Sequence, residues 1–137
     1  MTMQSLKGNP FVRLVLFSNG IIDLVAAWAL FFPVLKLPLP GYAAYTNVLA
    51  FIAGGWGIAA LTFGLGRIWA SYKPEFFRVM VVLGLTEGVL LSIYCLINVF
   101  FLEISLLQAM LPLAIGSVYG VLYFFALQKL LRSDKHR

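Results

Sequence analysis

Four stretches of this chain, residues 11–32, 45–65, 75–101 and 106–127, are each long and apolar enough to cross a lipid bilayer as a helix. A chain in lipid must satisfy its backbone N–H and C=O groups internally, so runs of this length point to helices. The expected fold is all-α: a polytopic integral membrane four-helix bundle with residues 1–137 forming a single membrane domain. Composition agrees, with 62% apolar and 11% charged residues, where soluble domains hold roughly half and a quarter.

The ends of the runs carry local signals. Asn9-Pro10 opens the first as a cap followed by a first-turn proline, and Pro33 stops it. The second ends before Arg67, the third starts after Lys73-Pro74, and Ser105-Leu-Leu-Gln108 reads as a capping box for the fourth. Nine of the ten lysines and arginines fall on one side, at the amino end (Lys7, Arg13), the middle loop (Arg67, Lys73, Arg78) and the tail (Lys129, Arg132, Lys135, Arg137). Only Lys36 falls on the other, with Glu103 opposing it. By the positive-inside rule both termini are cytoplasmic, in a multi-pass protein of a cytoplasmic-type (bacterial inner) membrane. Tyr42 and Tyr45 mark the outer boundary of the second span, and Trp69 and Tyr72 mark its inner one. The connection 33–41 is apolar with three prolines, and is expected to lie at the interface or fold over the bundle mouth rather than stand free in solvent. The first run is longer than a leader's apolar region and holds Asp23, so it is expected to stay as a span. The basic tail near anionic lipid gains about 1 kcal/mol per charge.

Several function classes are disfavoured. The net charge of +5 sits at span ends and not on a basic aromatic surface, so no nucleic-acid partner is expected. Cys95 is the lone cysteine, which leaves no disulfide, redox pair or thiolate metal site. His136 is the lone histidine, near the carboxyl end, so neither a bis-histidine haem nor a histidine metal centre is expected from this chain. Any cofactor is unidentified.

Two carboxylates break the apolar runs. Arg13 to Asp23 is ten residues and Arg78 to Glu87 is nine, which places both acids roughly 14 Å inside the basic boundary, near the bilayer midplane. An acid there costs at least ~2.5 kcal/mol and needs a partner. Asn19 lies one turn from Asp23, and Gly84, Glu87, Leu91, Tyr94 and Asn98 follow a three-four spacing on the third span. Trp56 and the pair Ser117 and Tyr119 reach the same depth from the second and fourth spans, so one polar layer of Asp23, Glu87, Trp56, Ser117 and Tyr119 is expected. No basic residue is expected at that depth, which disfavours an intramembrane salt bridge. The acids are then read as a neutral, protonated helix-to-helix hydrogen-bond clasp, as a ligand site, or as a proton or cation site; catalysis lacks a nucleophile, metal set or oxyanion framework. Gly54, Gly55 and Gly57 in the second span, Gly84 and Gly88 in the third, and Gly116 and Gly120 in the fourth are small-residue positions for close helix packing.

These features carry a resemblance. Arg13 before an apolar run holding Gly20, the stop at Pro33, and Gly41 leading to Asn47, Gly54, Gly55 and Gly57 resemble the small four-helix membrane proteins grouped as DoxX-like or BphX-like. The resemblance implies association with quinone-linked redox complexes or aromatic degradation, with any cofactor borrowed, and it carries over no catalytic residue. The expected function is a non-enzymatic binding or accessory subunit, with a mid-membrane carboxylate site for a lipid, quinone-like or other small amphipathic ligand. Membrane lipids, further copies of the chain or a larger membrane complex are its expected partners. The alternative is a proton- or cation-coupled small-solute transporter acting as an oligomer.

Overall fold

The computed structural model describes residues 9–37, 46–101 and 104–135. The expectations resting on Lys7, Gly41, Tyr42, Tyr45, Glu103, His136 and Arg137 lie outside the described residues. The regular structure described is helical: α1 (Pro10–Leu30), α2 (Asn47–Ser71), α3 (Phe77–Phe101) and α4 (Leu106–Lys135), with a 3-10 turn at Pro74–Phe76 leading into α3. Four helical segments are each long and apolar enough to cross a membrane.

The helices begin where the caps place them. Asn9 Oδ1 accepts from the Phe11 N–H at 3.0 Å, ahead of α1. Thr46 Oγ1 accepts from the Leu49 N–H at 3.1 Å and caps α2. At α4 the capping box is reciprocal: Ser105 Oγ accepts from the Gln108 N–H, while Gln108 Oε1 accepts from the Ser105 N–H, both at 3.3 Å. Two ends differ from expectation. α2 runs through Arg67 to Ser71, and α4 runs past residue 127 to Lys135. An apolar run stops at the first charge, but a helix does not, because arginine, lysine and glutamine are good helix formers. What stops α2 is the approach to Pro74.

The described residues form two compact units, those within 17–69 and those within 9–16 together with 70–135. In the first, the rest of α1 and most of α2 form an antiparallel hairpin. A Cβ on Gly20 would stand 2.8 Å from the Gly64 carbonyl oxygen, and one on Gly64 would stand 2.9 Å from that of Gly20. Real side chains do not tolerate such separations, so only glycine at both positions lets these backbones meet. Further along, Gly57 lies against the Phe31 ring and the Ala27 carbonyl.

In the second unit, α3 packs on α4, and the buried residues of α3 are Phe77, Val81, Gly84, Gly88 and Cys95. Gly84 lies under the ring of Tyr123, which is fully buried, and a Cβ on Gly88 would stand 2.8 Å from both the Gly116 oxygen and the Gly120 nitrogen. Beside that contact Ser92 and Ser117 share a 3.2 Å hydroxyl hydrogen bond. At the other end of this unit, Arg13 Nε donates to the Ser71 carbonyl at 3.0 Å, with its guanidinium 6.0 Å from the Tyr72 ring centre. The Lys129 ammonium stands 4.2 Å from the centre of the Phe11 ring.

Large apolar side chains such as Phe51, Phe100, Phe101 and Leu107 are exposed. In water that surface would drive aggregation; in lipid it is the expected exterior.

Candidate functional site

Asp23 has an ion partner, and that partner is Arg67. The Gly20–Gly64 contact brings α1 and α2 together within one turn of Asp23, and Arg67 follows Gly64 by one turn on α2. From there Arg67 Nη1 donates to Asp23 Oδ2, while Asn19 Nδ2 donates to Asp23 Oδ1 at 3.3 Å. The guanidinium carbon also stands 5.7 Å from the centre of the Phe63 ring. Arg67 is only 1% exposed and the Asp23 side chain 14% exposed. The expectation that no basic residue reaches the depth of Asp23 is therefore corrected. It took α2 to end before Arg67, whereas the helix carries Arg67 inward and its long side chain spans the remaining turn.

Charge matters more than hydrogen-bond number in such a place. Either ion alone in an apolar surround is costly, and the pair together is net neutral. The arrangement holds α1 on α2 and leaves the carboxylate occupied from two sides. Its chemistry is that of a clasp.

The other sequence-selected residues distribute as follows. Trp56 belongs to the same unit as Asp23 and is 66% exposed. Glu87, Tyr94, Ser117 and Tyr119 belong to the other unit. There Glu87 and Tyr94 are exposed on α3, Ser117 bonds to Ser92, and Tyr119 is buried with its ring centre 6.2 Å from that of Tyr123. The expected single face of Gly84, Glu87 and Tyr94 thus divides: Gly84 turns toward α4, and the other two lie on its flank. Three residues on is about 60° round a helix, enough to take a side chain out of a narrow glycine contact. Among the described residues no cluster of three His, Cys, Asp or Glu side chains could hold a metal.

A second feature of the Phe17–Trp69 unit was not expected from sequence. A groove of about 1150 Å³ runs beside α2, walled by Phe31, Val34, Phe51 and Trp56 and floored in part by Gly54 and Gly55. A Cβ on Gly54 would meet Val34 at 3.0 Å, whereas one on Gly55 would meet none of the described residues within 4 Å. Gly55 therefore faces open space. The α2 residues along the groove run from Asn47 to Ala59, about 18 Å of helix, close to the ~15 Å depth of one bilayer leaflet's hydrocarbon. Its size lies just above the ~1,000 Å³ upper range of small-molecule sites.

Polar groups gather at one end of this groove: Lys36, Thr46 and Asn47. Lys36 sits in a turn that closes after α1, where the Leu37 N–H bonds to the Phe32 carbonyl at 2.9 Å and the Lys36 N–H to that of Pro33 at 3.2 Å. Those two bonds define a Schellman turn, whose left-handed position belongs by preference to glycine. Lys36 occupies it with φ 58°, and it is the one described non-glycine residue with positive φ. A side chain there costs about 1 kcal/mol.

No family model, curated protein or solved structure matches this chain. The site itself carries the functional argument.

Proposed function

We propose that this is a non-enzymatic, multi-pass integral membrane protein that binds an amphipathic molecule in the α1–α2 groove. In this reading the Asp23–Arg67 clasp holds the hairpin whose other end forms the binding surface. The single observation that supports it most is the groove: apolar along a leaflet's depth, polar at one end, and open over Gly55. Orientation is proposed with both termini cytoplasmic, in a membrane of the bacterial inner type, which puts Lys36 at the outer face. The clasp role for Asp23 is favoured over proton or cation handling because Arg67 and Asn19 already engage its carboxylate.

The test is native mass spectrometry of the gently solubilised protein beside Gly55→Phe. That substitution fills open space and leaves the helix contacts alone. A defined adduct on the wild type that is lost in Gly55→Phe is the expected result. A bare wild-type protein, or an adduct that survives in Gly55→Phe, overturns the reading.

A further inference from the structure

The proposal above leaves the head group of the ligand unassigned, and Lys36 assigns it. Lys36 is the only charged residue among the described residues lining the groove. It stands at the end that also presents Thr46 and Asn47, while the other described lining residues are apolar or glycine. Its backbone position is one that glycine would occupy without strain. The turn itself does not call for a lysine, and what this residue adds is an ammonium among the groove's polar lining residues.

We propose, resting on the groove as the binding site, that its occupant is an anionic membrane lipid. The head group pairs with Lys36, and one chain lies along α2 over Gly54 and Gly55 toward Ala59. Three features select this occupant. The charge at the polar end is positive and unopposed among the described lining residues. The groove's length matches the reach of one chain through one leaflet. Gly55 leaves room along the groove, since a Cβ there would meet none of the described residues within 4 Å.

The test uses Trp56, which lines the groove, as the reporter. With Trp28 and Trp69 replaced by phenylalanine in the full chain, Trp56 is the one tryptophan left of three. The protein is reconstituted in bilayers containing brominated-chain phosphatidylglycerol or brominated-chain phosphatidylcholine at fixed total composition. Quenching of Trp56 then gives the relative binding constant of the two lipids. A preference of roughly fivefold for phosphatidylglycerol is expected, the scale of one lysine near an anionic head group. Lys36→Gly, which relieves the strained turn and so keeps the fold, should bring the ratio to about one, and Lys36→Arg should keep it high. Gly55→Phe should lower it by removing the seat for the chain.

A ratio near one in the wild type overturns the head-group assignment, as does an unchanged preference in Lys36→Gly. A preference that survives Gly55→Phe overturns the groove as the seat. The groove reading fails separately, through the adduct seen by mass spectrometry, so the two failures are distinguishable.

Discussion

Removing Arg67 tests the clasp most directly. Arg67→Met keeps an unbranched, apolar side chain of moderate length in place and deletes the guanidinium. It leaves the Asp23 carboxylate, 14% exposed, with Asn19 but without the Arg67 ion pair. Breaking a buried pair from one side typically costs about 3–5 kcal/mol, and the near-complete burial of Arg67 places this pair in that class. Asp23→Asn should cost no less, because it leaves the more deeply buried ion behind and arginine cannot shed its charge. The double variant Asp23→Asn, Arg67→Met contains neither ion and should be far more stable than the sum of the single losses predicts. The assay is unfolding in mixed micelles by denaturing detergent, followed by circular dichroism, for all four proteins. A coupling energy of at least ~2 kcal/mol is expected, well above the ~0.5 kcal/mol within which independent sites add. Additive single losses would refute the clasp.

The remaining expectations use the same unfolding assay. Gly88→Ala drives a methyl into the Gly116 and Gly120 backbone and should lose about 1–3 kcal/mol. Gly120→Ala meets nothing closer than 3.7 Å across the helix pair and should stay within about 0.5 kcal/mol of wild type. An equal loss in both would refute the one-sided packing of α3 on α4. Lys36→Gly should leave stability unchanged or raise it by up to about 1 kcal/mol, since relief of the left-handed strain exceeds or offsets glycine's extra entropy when unfolded. A clear loss would mean that the lysine side chain itself holds the turn.

Helix number and helix starts were readable because they depend on local chemistry. Asn9 and Ser105 cap the helices they precede, Gln108 completes the capping box from inside α4, and four apolar runs announce four long helices. Rotation about each helix axis was harder to read. When lipid and neighbouring helices are equally apolar, hydrophobic periodicity does not distinguish the inner face. The glycines did mark it: Gly84, Gly88 and Gly116 lie in the α3–α4 contact. Glu87 shows the limit, being one turn from Gly84 in sequence yet exposed. The Asp23–Arg67 pair was missed because Arg67 was read as the edge of a span. Trp69 and Tyr72, both aromatic boundary residues beyond it, already placed Arg67 inside that edge. The groove depends on which of two adjacent glycines a neighbour covers. Gly54 faces Val34 and Gly55 faces none of the described residues, a distinction that requires the third dimension.

The separation of Asp23 and Arg67 along the chain, 44 residues, also bears on how the protein is made. At a synthesis rate of about 5–20 residues per second, the acid leaves the ribosome roughly 2–9 s before its partner. An aspartate at the centre of a helix opposes release into lipid by about 2.5–3.5 kcal/mol during that interval. In the membrane setting proposed above, the first helix would gain from staying beside the insertion machinery until the second arrives, so that the two enter the bilayer as a neutralised pair. A delay imposed between them during translation should then lower the yield of inserted protein.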